Sequence, residues 1–374
     1  MMTRGIEYLQ EHVVYDNPMP LLRSRHAFFP GVIQLPSGEL LAMIAIGEAF
    51  ESTDMTTCIS RSTNNGQTWQ LQGPVYDKSV DPFPTSDYLK PLALADGSLI
   101  ALGYRFHRHD PNMPIAIKAT NGILPGDDIV SFSSDEGRTW TVPQVIECDT
   151  VEVLEVPHNP IQLHNGDIVA SAGLFKSPDG KFPRGQFGVL MRSKDNGKSW
   201  DASARFFETP DNSISAYESN VIEMQDGRLV TISWAIDVVG DRDFANQVTV
   251  SHDNGYTWSE PIDTGHAAQS SSLIYLGGER LMSIHCHRGD EPGVVVRVID
   301  FTGDKWNVIG QNNIWGSSTG KQVHQGQSFY DMMQVIRFGQ PSLLKLDNGE
   351  VLGFHWAVVN GQGMVLAHRL KLSN

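Results

Sequence analysis

Side chains that exchange protons readily recur beside short apolar segments of this sequence. Glu218 and His158 come directly before two such segments, His26 lies just before another, and Asp54 follows that one. Carboxyl and imidazole groups act as general acids and bases near neutral pH, because their surroundings can shift their pKa values into that range. These four residues are therefore the predicted catalytic groups.

Charged, polar and aromatic residues flank the same segments and are candidates for holding a ligand. Arginine and carboxylate side chains make strong hydrogen bonds, and aromatic rings offer flat apolar surfaces. Six of the 13 histidines fall at flanking positions, which favours a functional pocket over an even scatter. The predicted binding residues are Arg25, Glu48, Asp87, Tyr88, Arg105, His107, Tyr217, Trp234, His285, His287, Gln340 and His355.

The apolar segments belong to a repeat of strand, turn and strand. Each copy is a short apolar strand, a turn that ends in glycine and a second apolar strand, as is typical of a β-hairpin. The start of the first strand and the end of the second lie at the same edge, so we expect the candidate residues to meet at one rim. The six copies begin at Pro30, Pro91, Asn159, Ser219, Ser271 and Pro341.

A second repeat has the pattern Ser-x-Asn/Asp-x-Gly-x-Thr/Ser-Trp. Asn or Asp can bond to its own backbone, glycine accepts a positive φ, and the tryptophan can pack between neighbouring sheets. We expect these eight-residue turns to join the third and fourth strands of successive sheets, with their tryptophans in structural roles. The copies are Ser62–Trp69, Ser133–Trp140, Ser193–Trp200 and Ser251–Trp258, with a shortened version that ends at Trp306.

Together the two repeats predict an all-β protein, a six-bladed β-propeller of four-stranded antiparallel blades. The chain is expected to form one domain over residues 1–374, with rim loops near 75–89 and 105–127. The last blade ends on its third strand, at 365–372. Residues 7–15 at the N-terminus are expected to supply its missing fourth strand and so to close the ring.

The composition and net charge argue against several classes of function. The net charge of −15 argues against nucleic acid as a partner, and no stretch is apolar enough to span a membrane. Three scattered cysteines are too few for a disulfide framework or a zinc cluster, and no clustered histidine spacing suggests a metal or cofactor. The polar N-terminus favours a cytoplasmic protein, or an exported one from which a leader has been removed. The oligomeric state is left open.

The eight-residue turns are those of the Asp-box, also called the bacterial neuraminidase repeat, and the whole chain resembles the sialidase-like six-bladed propellers. Glu218, in Tyr217-Glu218-Ser219, matches the glutamate that activates the sialidase tyrosine nucleophile. Asp54 lies where that family has its acid/base aspartate, and Glu48 and Glu51 compete for the match. The resemblance implies a central pocket built from these residues.

The arginine triad that holds the sialic acid carboxylate is not matched. Phe28 stands where the first arginine is found, and the second should fall near Trp234. The tyrosine position is occupied by Gly339-Gln340-Pro341. Since Phe and Trp cannot make bidentate bonds to a carboxylate, the resemblance predicts a sugar other than sialic acid.

Three functions remain open. The first is a glycoside hydrolase acting on a glycan or small sugar, with carboxylates chosen among Asp54, Glu48, Glu218, Glu155 and Asp87. A related possibility is a polysaccharide lyase on a uronic acid, with His26 or His158 as base and Arg25 or Arg105 at the acid group. The second is a sugar-binding propeller without catalysis, and the third is a metal site formed by rim histidines.

Overall fold

The computed structural model describes residues 5–148, 152–240, 242–316 and 328–372. Six four-stranded antiparallel sheets form the blades of a β-propeller. The first strands of blades 4, 5, 6, 1 and 2 contact one another in this order around the axis, and blade 3 joins them through contacts that include second strands. The prediction of an all-β six-bladed propeller is therefore confirmed. Buried apolar residues fill the spaces between the blades.

The strand bounds follow the two sequence repeats. From the axis outward, blade 1 has His26–Gln34, Leu40–Gly47, Thr56–Ser62 and Gln70–Pro74, and blade 2 has Thr85–Ala93, Leu99–His107, Gly126–Ser133 and Gln144–Val145. Blade 3 has a first strand in two pieces, Leu154–Glu155 and Ile161–Gln162, then Ile168–Leu174, Gly188–Ser193 and Asp201–Phe207. Blade 4 has Ser215–Glu223, Leu229–Asp237, Gln247–Ser251 and Ile262–Asp263, with Arg242–Asp243 beside its second strand. Blade 5 has Ser271–Gly277, Arg280–His287, Gly293–Asp300 and Asn307–Gly316, and blade 6 has Phe338–Lys345, Val351–Val359, Gln362–Leu372 and Ile6–Tyr15.

The ring closes with an N-terminal strand, as predicted. Ile6–Tyr15 pairs antiparallel with Gln362–Leu372, and Ile6 lies opposite Leu372. Blade 6 thus combines three strands from one end of the chain with one from the other, which leaves no open edge between blades 6 and 1.

The eight-residue turns join third and fourth strands in blades 1 to 4. In the first copy, Ser62 Oγ accepts the Gly66 amide at 2.9 Å, Asn64 Oδ1 accepts the Thr68 amide at 2.9 Å, and Trp69 Nε1 donates to Gly66 O at 3.1 Å. Gly66 has a φ of +82°, which glycine adopts without a steric penalty. Because every bond lies within eight residues, each turn forms from local sequence alone.

Three connecting segments contain further structure outside the blades. The loop between the second and third strands of blade 2 contains the strand pair Ala116–Ile117 and Gly122–Ile123. A 3-10 helix covers Lys78–Val80, and an α-helix, Phe329–Val335, precedes blade 6. We call this α-helix the roof helix, because it lies over the axial cavity described next.

Candidate functional site

Three first strands carry a β-bulge where they approach the axis. The irregularities lie between Phe28 and Gly31 in blade 1, Tyr217 and Asn220 in blade 4, and Gly339 and Ser342 in blade 6. At each bulge a non-glycine residue has a positive φ: 57° for Phe29, 44° for Glu218 and 40° for Gln340. Such strained conformations concentrate at functional sites. All three side chains line one cavity.

The cavity lies at the axis and has a volume of about 90 Å³, several times what one water molecule needs. Its lining combines carboxyl groups from Glu51, Glu155 and Glu218 with the Arg288 guanidinium and the Gln340 amide. Ten aromatic residues form most of the remaining wall: Phe29, Phe50, Tyr88, Tyr104, Phe106, Phe175, Tyr217, Trp234, Phe329 and Trp356.

A ring of polar groups surrounds the axis, with one residue from each blade. We call it the axial ring: Phe29 (through its carbonyl), Lys90, Glu155, Glu218, Arg288 and Gln340. Lys90 is fully buried, and its Nζ donates to Phe29 O and to Gln340 Oε1, the latter at 3.3 Å. It thereby joins the bulges of blades 1 and 6. Burial lowers the pKa of Lys90 to about 7, against the opposing charges of Glu218 and Glu155.

The acidic half of the axial ring connects blades 3, 4 and 5. Glu155 Oε2 accepts the Glu218 amide at 2.9 Å, and Arg288 Nη2 lies 3.9 Å from Glu218 Oε1. Burial, and then the charge of Glu218, raises the pKa of Glu155 well above its usual value, although the hydrogen bond from the Glu218 amide and the Lys90 charge oppose the rise. Glu218 Oε2 is buried and has no hydrogen-bond partner among the residues that the structure describes, which leaves it free to bind a water molecule or a ligand.

Arg288 reaches the axis through a gap that only glycine leaves. Its Nε donates to Phe338 O at 3.0 Å, and a Cβ at Gly339 would lie 2.0 Å from its Nη2. Any side chain at position 339 would therefore displace the guanidinium from Glu218.

Three acidic residues after the second strand of blade 1 were candidates for the acid/base position: Glu48, Glu51 and Asp54. Of these, Glu51 lines the cavity. Its Oε2 accepts the Ala116 amide at 3.3 Å, while Arg108 Nη2 donates to its backbone carbonyl at 2.6 Å. Burial raises the pKa of Glu51, although the Ala116 amide and the Arg108 charge oppose the rise. Asp54 lies outside the cavity lining, where it pairs with Arg25.

Five of the predicted catalytic and binding residues line the cavity, in addition to the candidate carboxylate Glu155. Besides Glu218 and Gln340, these are Tyr88, Tyr217 and Trp234. Tyr217 OH donates to Leu174 O at 3.0 Å, and Trp234 Nε1 donates to Asp243 Oδ1 at 2.8 Å, so both rings are fixed in orientation.

The predicted residues of blade 1 gather at the outer rim, with Asp54. Glu48 is exposed, and its amide donates to Asp54 Oδ1 at 3.0 Å. His26 Nδ1 accepts the Gly363 amide at 2.8 Å, which ties blade 1 to blade 6.

In blade 2, three predicted residues are held in ion pairs. Asp87 lies 2.9 Å from Lys78 Nζ, and Arg105 and His107 share the carboxylate of Asp127 at 2.9 and 3.0 Å.

The predicted histidines of blades 5 and 6 lie within the blades, outside the cavity lining. His285 bonds to Ser271 and Ser283, and His287 Nε2 lies 3.2 Å from an Arg297 nitrogen. His355 Nε2 lies 2.9 Å from the Nε2 of His368. Within the described ranges, no three histidine, cysteine or acidic residues are placed to share a metal ion.

His158 is buried near Lys90 and is not among the residues that line the cavity. It is 5% exposed, and burial, followed by the Lys90 charge, lowers its pKa from 6.5 to about 3. The imidazole is therefore neutral at pH 7.

This burial predicts an acid-dependent loss of stability. Because the folded-state pKa of His158 is depressed, the unfolded chain binds the proton more readily, and stability is lost as the pH falls from 6.5 toward 3. Between pH 7 and pH 5, the free energy of unfolding should fall about 2 kcal/mol more in the wild type than in His158→Gln. Urea titrations at both pH values measure the difference. His158→Phe, which also cannot titrate, should show the same pH dependence as His158→Gln. Equal pH dependence in wild type and both variants would contradict the neutral buried imidazole.

Three features of the site were not predicted from the sequence: the roof helix, Lys90 and Arg288. The helix had a readable signal, because Phe329, Met332, Met333 and Ile336 have the i, i+3, i+4, i+7 spacing of one helix face. Arg288 directly follows the second strand of blade 5, so its position also pointed to the rim. Lys90 lies inside an apolar strand and gave no comparable signal.

The fold is that of a sialidase-like six-bladed β-propeller. A protein of unknown function from Dyadobacter fermentans aligns with a TM-score of 0.75 at 19% identity, over 98% of this chain and 99% of that one. The Hadza microbial sialidase Hz136 aligns with a TM-score of 0.63 at 18% identity, over 93% of this chain and 66% of its own. Trypanosoma rangeli sialidase with the inhibitor DANA gives 0.61 at 17% identity, over 93% and 55%.

These TM-scores show that the proteins share a fold, although their sequences are less than 20% identical. The chain spans about 55–66% of the length of these two sialidases. The sequence matches no protein-family model and no curated protein. No helix in the described part of the chain is long and apolar enough to cross a membrane.

Proposed function

We propose that this protein is a glycoside hydrolase that cleaves a sugar other than sialic acid. The observation that carries the proposal is the meeting of three carboxyl side chains, Glu51, Glu155 and Glu218, in one aromatic-lined cavity. Glycoside hydrolysis needs a protonated acid at the leaving oxygen and a carboxylate on the other side of the bond. Aromatic rings give a sugar ring flat surfaces for stacking.

Glu51 is the proposed general acid. Burial raises its pKa, which is the direction of shift that a general acid needs. In this role Glu51 passes its proton to the glycosidic oxygen as the bond to the anomeric carbon breaks. Glu218, paired with Arg288, supplies the carboxylate, which either bonds to the anomeric carbon or takes a proton from the attacking water. Glu155 acts as a positioning residue, because its carboxyl group accepts the backbone amide of Glu218 and so holds that backbone in place.

The charges around the cavity disfavour sialic acid. Among the described lining residues, Arg288 is the one guanidinium, and it lies against Glu218. A substrate carboxylate would therefore compete with Glu218 for this guanidinium. Two of the positions expected to hold triad arginines are Phe28, a buried core residue, and Trp234, which donates to Asp243.

A panel of 4-nitrophenyl glycosides tests the proposal, with neutral hexosides, pentosides, deoxy sugars, uronides and a sialoside. The wild type should release nitrophenol from at least one glycoside and not from the sialoside. Glu51→Gln should slow alkyl glycosides much more than nitrophenyl glycosides, because nitrophenolate leaves without protonation. No turnover on any member, or equal slowing of both leaving groups, would refute these roles.

The lyase alternative keeps His26 or His158 as its base. The pKa of about 3 makes His158 a weak base. The Nδ1 atom of His26 already accepts a hydrogen bond from the Gly363 amide. An unsaturated product from a uronide in the panel would nevertheless establish it. Binding of a glycoside without turnover would instead favour the non-catalytic sugar-binding propeller.

A further inference from the structure

The cavity lining has a polar part and an apolar part. The polar part includes the Glu155, Glu218, Arg288 and Gln340 side chains of the axial ring, and the apolar part includes Phe329, Met332 and Met333 of the roof helix and Ile336 directly after it. The four roof side chains offer no strong hydrogen-bonding group. A ligand that fills the cavity therefore meets two chemically different ends.

The roof helix is fastened to the opposite side of the ring. The Tyr330 amide donates to Asn121 Oδ1 at 3.2 Å, and Lys118 Nζ lies 5.5 Å from the Tyr330 ring centre. The Phe329 ring packs 6.5 Å from the Tyr217 ring. Ser328 caps the helix by accepting the Asp331 amide at 3.1 Å. These contacts hold the apolar face of the helix over the cavity.

From this arrangement we infer that the site takes small glycosides whose non-sugar part is an alkyl or aryl group. The inference rests on the proposed hydrolase function. The sugar lies on the axial ring, and the aglycone lies under Met332, Met333 and Ile336. A second sugar unit beneath the roof would lose its hydrogen bonds to water without replacement, whereas an apolar group gains free energy from the area it buries. The flexible thioethers of the two methionines adapt to aglycones of different shape.

The first test uses alkyl glycosides of the sugar that the panel identifies. Methyl, butyl, hexyl and octyl glycosides have leaving groups of nearly equal acidity, so differences in kcat/KM report contact with the chain. We expect kcat/KM to rise about fourfold for each methylene that becomes buried, until the chain outgrows the cavity. A disaccharide of the same sugar should be a poorer substrate than the butyl glycoside.

The second test measures binding without catalysis. Calorimetry with 2-naphthol, a free aryl alcohol, should detect one site in the wild type. Met333→Gln places an amide in the roof at nearly constant volume, and we expect it to weaken naphthol binding about tenfold. Gln334→Met is the matched control, because Gln334 is exposed on the same helix and its replacement should leave the affinity unchanged.

The two tests separate the inference from the function on which it rests. If alkyl length has no effect on kcat/KM and Met333→Gln binds naphthol like the wild type, the aglycone site is wrong while hydrolysis stands. If no glycoside is hydrolysed but naphthol binding depends on Met333, the apolar site stands and the hydrolase proposal fails. Absence of naphthol binding to the wild type would also overturn the inference.

Discussion

Replacing Glu218 with glutamine is expected to lower kcat/KM for glycoside hydrolysis at least about a hundredfold, the usual scale for a group that exchanges protons or bonds with the substrate. Glutamine keeps the size of the side chain but supplies no carboxylate. The Glu218 amide that binds Glu155 is unaffected, so the bulge and its positive φ should persist. The measurement is steady-state kinetics on the best panel substrate, together with the melting temperature.

Two further variants identify the cause of such a loss. Glu260→Gln removes an exposed carboxylate on an outer turn and should leave the rate unchanged. His158→Ala should lower the melting temperature with little effect on hydrolysis, because His158 is buried and does not line the cavity. Loss of turnover in His158→Ala at an unchanged melting temperature would favour the histidine-based lyase. Full activity in Glu218→Gln would show that the axial cavity is not the active site.

Truncating Trp200 to alanine is expected to lower the free energy of unfolding by about 3–5 kcal/mol, the range for deleting a large buried aromatic side chain. Trp200 is 8% exposed, and its Nε1 donates to Gly197 O at 2.9 Å, so the change removes packing and leaves a buried carbonyl without its donor. Denaturant titration of both proteins at pH 7 measures the loss.

The same variant also tests whether Trp200 has a structural role or contacts the ligand. Trp200 is not among the residues lining the cavity, so KM in the folded variant should match that of the wild type. Tyr256→Ala, at an exposed ring stacked on Arg192, should cost less than about 1 kcal/mol and serves as the surface control. A raised KM with unchanged stability would contradict the structural role of Trp200.

The architecture was predictable because its determinants are local. Each eight-residue turn is held by bonds such as Ser62 to Gly66 and Trp69 to Gly66, and counting strands in the last blade left one to be supplied from 7–15. The bounds Ile6–Tyr15 differ from that prediction by one residue.

The site was predictable only in part, because it depends on which way a side chain points at the end of a strand. Glu218 and Gln340 reach the axis because bulges turn them inward, whereas His285 and His355 face into the packed interior of their blades. A bulge of this kind has no clear sequence signature. The buried position of Lys90 is explained by its hydrogen bonds to Phe29 and Gln340. These partners lie 61 and 250 residues away in the sequence, so no local pattern predicts the contacts.

The closure of blade 6 has a mechanical consequence. Ile6 and Leu372 are paired, so the first and last residues of this strand pair lie at the same end of the strand ladder. A force that pulls these two ends apart would load the backbone bonds one after another, as in opening a zipper, rather than all together in shear. The ring should therefore open at low force from its ends. It should resist far more strongly when pulled between two blades on opposite sides.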